Sequence, residues 1–235
     1  MSYAQAKWRT VSTLKFDWNG RSGVRIIFEI PENRTKPGDF TRIRIQVPGE
    51  KELVRKNDDG WVKFRSTAAE TSVQIRRIKN LLPSDYVLAV NAAEGRMMLL
   101  LVGSAYASSP GSLDVIELPT SAAPRVVLHK QELGLRELKD LDGDGKVELV
   151  TYPCLSQEFG PGLLTYDPFN VYELAGSPGE HAEISLPLSK NYNIAHYYGW
   201  AGVNCSEKLA VVLHPSGNRK PLIMKTEDAE KMTAK

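Results

Sequence analysis

Cysteine is nearly absent from this 235-residue chain: only Cys154 and Cys205 occur. Two cysteines cannot make a disulfide framework, and they lack the C-x-x-C spacing of a zinc or redox pair. They are either a single bridge, which export would allow, or two small core residues, and the fold is not expected to depend on them. Long apolar runs are also missing. None reaches the roughly 18 residues of a membrane helix, and the longest, "RMMLLLVGSAY", has the length of a buried strand. No hydrophobic signal region opens the chain, yet Ala4-Gln5-Ala6 fits the small-residue pattern left by signal cleavage. That pattern sets the expectation of an exported protein, periplasmic or secreted. If a glycosylating cell exports it, the sequons at Asn33 and Asn204 become relevant.

An excess of one charge is lacking too. Thirty Lys+Arg against 28 Asp+Glu gives +2, which argues against a nucleic-acid binder. The first third is locally basic, with Arg42, Arg44, Arg55, Arg65, Arg76 and Arg77, and reads as a solvated strand face. Motifs of catalysis are missing as well: no G-x-S-x-G elbow, P-loop, G-x-G-x-x-G or H-E-x-x-H occurs. His129, His181, His196 and His214 are scattered without ligand spacing, and no carboxylate pair stands out for glycoside hydrolysis.

What the chain does have is strands. "RIRIQV" (42–47) alternates charged and apolar residues, the mark of a half-buried strand. "YVLAV" (86–90), "MMLLLVG" (97–103), "LDVIEL" (113–118), "RVVLH" (125–129) and "LAVVLH" (209–214) are short apolar runs between turn residues. The separating turns are "NDDG" at Asn57, "NAAEG" at Asn91, "SSPGS" at Ser108, "GSPGE" at Gly176 and "HPSGN" at His214. Only "KQELGLRELKD" (130–140) could form a helix of any length, and Gly134 weakens it. The residues from Thr226 onward read as a frayed tail or short helix. The fold class is all-β.

An internal repeat is suggested by placing "DWNGRSGVRII" (17–27) on "DLDGDGKVELV" (140–150) without a gap. Asp17, Asn19 and Gly20 fall on Asp140, Asp142 and Gly143, and Val24 falls on Val147. The offset equals two units of about 60 residues. Turn-to-strand segments at Pro83 and Gly202 continue the series, so units over 10–70, 71–130, 131–190 and 191–225 are expected, followed by a frayed tail over 226–235. Such small antiparallel sheets would pack as propeller-like blades or as a sandwich-like stack.

The stretch 140–150 is also where the chemistry concentrates. Asp140, Asp142 and Asp144 occupy positions 1, 3 and 5 of a loop, the Lys146 carbonyl lies at position 7, and Glu148 is at position 9. Oxygens so spaced can converge on one hard cation, while Gly143 and Gly145 permit the tight turn. Without a cation the crowded carboxylates repel one another. A flexible all-protein oxygen cage suits calcium better than magnesium; the competing reading is a solvated acidic turn with no metal. An EF-hand is excluded, because position 12 is Thr151 and "VELVTYP" feeds a strand.

"DLDGDGKVELV" resembles the calcium-loop segment of FG-GAP and VCBS repeats, found in the integrin α propeller and in many exported bacterial proteins. The resemblance implies a calcium loop between two strands of a blade. "EFGPGLL" (158–164) is a poor echo of the segment that names the repeat, and the chain is too short for seven units. At the 17–27 copy, Arg21 and Arg25 stand where Asp144 and Glu148 do. That copy is expected to hold no calcium, with a guanidinium neutralising Asp17 instead.

Finally, Tyr166, Phe169, Tyr172, Tyr192, Tyr197, Tyr198 and Trp200 gather among Asp167, Asn170, Asn191 and Asn193. Aromatic faces beside amides could form a platform for a sugar or peptide, with Tyr166, Tyr198 and Trp200 as candidate contacts; the alternative is an ordinary core. Taken together, the sequence reads as a non-catalytic, exported calcium-binding β-repeat protein with a protein or glycan ligand. The alternative is an extracellular polysaccharide-acting hydrolase in which calcium is only structural.

Overall fold

The computed structural model describes residues 7–33, 38–64, 80–104, 110–152, 158–160, 162–174, 181–196, 199–213 and 220–233. Its first part is an antiparallel sheet made of β1 (Trp8–Trp18), β2 (Arg21–Pro31), β3 (Phe40–Gln46), β4 (Leu53–Val62), β5 (Leu88–Ala93), β6 (Arg96–Gly103), β7 (Ser112–Pro119) and β8 (Arg125–Gln131). The order is β1-β2-β3-β4-β6-β7-β8, with β5 pairing β6. β4 and β5 share one edge of β6: Val62 faces Val102, and Leu88 faces Leu100.

Alternation decides which face of each strand is buried. Val24, Ile26 and Phe28 of β2 and Ile43 and Ile45 of β3 point into the first core, as the "RIRIQV" pattern predicts. β6 does not alternate, because both its faces are covered. Met97, Leu99 and Leu101 enter the first core, while Met98 and Leu100 enter a second. The sheet curls around the first core until the β1–β2 turn meets the far end of β7. Trp18 Nε1 donates to the Leu118 carbonyl at 3.2 Å, and Arg21 Nη1 donates to that of Ala122 at 3.1 Å.

The chain continues through β9 (Gly134–Lys139), β10 (Glu148–Tyr152), β11 (Glu158–Gly160), β12 (Leu163–Tyr166), β13 (Asn170–Glu173), β14 (Glu183–Ile184), α1 (Leu186–His196), β15 (Ser206–Val212), β16 (Leu222–Lys225) and α2 (Thr226–Thr233). A second sheet, ordered β14-β13-β10-β9, packs its Leu135, Leu149 and Tyr172 against the outer face of β6 and β7. α1 covers part of that sheet through Tyr192, Val150 and Val171. A third sheet, ordered β11-β12-β15-β16, has a small core of Leu163, Ala210, Val212 and the α2 residue Ala229.

The protein is therefore all-β with two short helices, built of antiparallel sheets, none of them closed among the described residues. Several finer expectations change. The sheet of β1–β8 runs across the boundary expected at residue 70, and β12, besides its partner β11, pairs with β15 beyond the boundary expected at residue 190. The tail from Thr226 takes the short-helix alternative rather than fraying, forming α2 with Ala229 fully buried. The helix considered over 130–140 is strand β9, where Gly134 makes room for a neighbour: a Cβ there would lie 2.1 Å from the Tyr152 ring. "NDDG" is not a turn between strands but a bulge inside β4, between the Arg42–Lys56 and Phe40–Trp61 pairs. Cys205 is disulfide-bonded. Cys154, the only other cysteine of the sequence, lies outside the described residues.

Candidate metal centre

The acidic loop spans Asp140–Val147, between β9 and β10, and feeds a strand as its sequence predicts. Its shape comes from its own aspartates. Asp140 accepts the Gly143 N–H on Oδ1 at 2.7 Å and the Gly145 N–H on Oδ2 at 3.1 Å. Asp142 Oδ1 accepts from the Asp144 N–H at 3.2 Å. Gly143 and Gly145 have φ of 80° and 83°, a region that disfavours side chains, although a Cβ at either would meet nothing within 4 Å. It is the backbone conformation that selects glycine here, not crowding.

Glu148 closes the site from below. It is the first residue of β10, 3% exposed, and its Oε2 accepts the Leu141 N–H at 2.7 Å. Asp140, Asp142 and Glu148 each offer a carboxylate oxygen, all within 4.8 Å of one another. Among the described residues no cationic side chain pairs with Glu148. Burial pushes its carboxyl above the ordinary glutamate value, and Asp142, Asp144 and Asp140 push it further. Asp144 is turned elsewhere: it accepts the Lys146 N–H at 2.8 Å and the Lys146 Nζ at 2.7 Å. The hydrogen bonds from Lys146 hold its carboxyl below the usual range. Of the expected ligands, then, the structure gathers Asp140, Asp142 and Glu148, and gives Asp144 a lysine partner.

The 17–27 copy is a different object. Asn19 and Gly20, at φ 50° and 81°, make a two-residue hairpin turn rather than a wide loop. Asp17 Oδ1 accepts the Gly23 N–H at 2.9 Å. Arg21 does not neutralise it, as expected from sequence, but pairs with Glu50 at 3.1 Å. The basic strand face is also less solvated than the sequence suggests, since Arg42 and Arg44 pair with the buried Glu29 and Arg55 pairs with Asp114. Arg65, Arg76 and Arg77 lie outside the described residues.

Among the described residues the aromatic cluster does not assemble into one exposed platform. Tyr166 is 0% exposed; its hydroxyl donates to the Gly202 carbonyl and accepts the Ala201 N–H, both at 2.8 Å, so it offers no ring face to a ligand. Tyr172 lies in the second core, and Tyr192 points from α1 onto the second sheet, edge-on to Phe169 at 5.5 Å. Trp200 is half-buried, and Tyr197 and Tyr198 lie outside the described residues.

A second polar group of residues went unnoticed in the sequence. Asp114 and Glu117 of β7 are buried, each held by two basic side chains: Asp114 by Arg55 and His129, Glu117 by Arg96 and Arg125. Two carboxylates inside the otherwise apolar "LDVIEL" were the available signal. No family model matches the chain, and neither the curated proteins nor the solved structures include a match. The likeness to FG-GAP and VCBS repeats therefore rests on residues 140–150 alone.

Proposed function

We propose that this is a non-catalytic, exported β protein whose 140–148 loop takes one calcium ion as a structural clasp between β9 and β10. The observation that carries the reading is Glu148: a buried carboxylate, facing two more within 4.8 Å, with no cationic partner among the described residues. Three such groups repel one another unless protons or a cation intervene. Oxygen-only donors on a loop of glycines and aspartates favour calcium. Asp144 and the Lys146 carbonyl would complete the set once the Lys146 ammonium is displaced. Export is supported by the disulfide at Cys205, because such bonds persist in oxidising compartments. The protein or glycan ligand of such a module would engage a surface other than Tyr166.

Thermal melting with calcium or with a chelator tests the reading. Free calcium at a hundred times the dissociation constant should add about 2.7 kcal/mol, since the unfolded chain cannot hold the oxygens together. Asp142→Ala should erase the response, and Asn19→Ala should leave it intact. A melting curve indifferent to both calcium and chelator in the unaltered protein would return the loop to a solvated acidic turn.

A further inference from the structure

Asp114 has no exposed surface, yet three donors from two strands converge on it. Trp61 Nε1 of β4 donates to Oδ2 at 2.9 Å, Arg55 Nε of β4 donates to Oδ1 at 3.0 Å, and His129 Nδ1 of β8 lies 2.9 Å from that same Oδ1. Asp114 itself sits on β7, directly opposite His129 in the antiparallel register. A carboxylate can only accept, so Nδ1 carries the proton and the ring orientation is fixed. Both outer groups reach solvent: the Arg55 and His129 side chains are 27% and 37% exposed. Neither makes a further hydrogen bond among the described residues, so the Arg55 Nη groups and the His129 Nε2 remain for something else.

Charge decides what that is. One guanidinium balances the one carboxylate, and Trp61 satisfies the second oxygen. The remaining Nη donors and the imidazole thus stand outside an already neutral pair. A metal ion is disfavoured there, because the guanidinium on the same carboxylate oxygen repels it. A guanidinium with free Nη groups matches the oxygens of phosphate or carboxylate, and an imidazole beside it supplies one more N–H when protonated. We infer that Arg55 and His129, both anchored on Asp114, form a binding site for a small oxyanion, the phosphate or carboxylate group of a ligand. This site is independent of the calcium loop and does not rest on it.

The test follows the His129 imidazole nitrogens by long-range proton–nitrogen NMR at constant pH and ionic strength. One arm adds inorganic phosphate, another acetate, and sodium chloride serves as the control. The expected result is a saturable shift of Nε2 at millimolar anion in at least one arm, with the tighter arm identifying the chemistry, and no saturation with chloride. Arg55→Lys keeps a charge beside Asp114 but removes the planar fork, and should weaken binding about tenfold. His129→Gln, which keeps a donor for Asp114, should also weaken binding, read from the remaining arginine and tryptophan side-chain resonances. A His129 ring that moves in no arm, or phosphate and acetate affinities unchanged by Arg55→Lys, would overturn the inference.

Discussion

Glu148 is the residue on which the loop turns. Its carboxyl is raised above 4.5 by burial and by neighbouring aspartates. The folded state therefore binds more protons there than the unfolded state, and this group lowers stability as pH rises through the window above the ordinary value. A bound cation reverses the sign, because it needs the ionised form. Melting should accordingly show a metal-free protein that loses stability on going up from about the ordinary glutamate pKa, and a calcium-loaded protein that does not. Glu148→Gln keeps an acceptor for the Leu141 N–H, and should flatten that fall while abolishing the calcium response. An unchanged pH slope in this variant would remove Glu148 from the account. Lys146 makes a complementary case: its ammonium occupies Asp144 at 2.7 Å. Lys146→Ala frees that carboxylate but keeps the backbone carbonyl, so calcium affinity by titration should rise severalfold. A fall would mean that Asp144 is no ligand. The positions of these residues were legible in sequence, since 1-3-5-9 spacing is local; the lysine's competition for Asp144 depends on side-chain geometry, which spacing does not record.

At the scale of elements, strands were far easier to read than helices. β2 and β3 alternate because one face meets the core, and β6 is apolar from Met97 to Val102 because both do. α1 was missed for a physical reason. Its buried positions, Ser189, Tyr192 and Asn193, have helical i, i+3, i+4 spacing, but they are polar, so apolar periodicity has nothing to detect. The helix is docked by hydrogen bonds instead. Ser189 Oγ accepts the Val171 N–H at 2.9 Å. Asn193 accepts the Phe169 N–H at 3.0 Å and donates to the Phe169 carbonyl at 2.7 Å. Tyr192 donates to Glu137 of β9, and burial together with that carboxylate pushes its phenol well above the ordinary tyrosine range. Asn193→Ala removes both side-chain hydrogen bonds to the Phe169 backbone. Chemical denaturation should show a loss of about 2–3 kcal/mol for an unmade buried hydrogen bond, with hydrogen exchange rising across α1. A loss near zero would mean that α1 is held by its apolar contacts alone.

Across the whole molecule, the all-β class was readable but the assembly was not. Periodic units of about 60 residues do not become separate blades, because pairing is decided by long-range partners: β4 joins β6 across the intervening segment, and β12 joins β15 across β13, β14 and α1. The three sheets are also unequally supported. The first core includes Phe28, Phe40, Trp61, Leu99 and Leu101, whereas among the described residues the third buries a cluster of just Leu163, Ala210, Val212 and Ala229. A core that small needs another constraint, and Cys205, placed just before β15, supplies one through its disulfide. The expectation that the fold does not depend on its cysteines is therefore replaced by a graded one. Reduction should lower stability by about 2–4 kcal/mol, as for a typical native disulfide, and the loss should be local first. Amides of Ser206–Val212 and Leu222–Lys225 should exchange faster in reductant, while those of β2 and β3 keep their protection. Equal acceleration in all three sheets would mean that the disulfide acts on one cooperative unit; no acceleration in the third would show that its small core suffices without the bond.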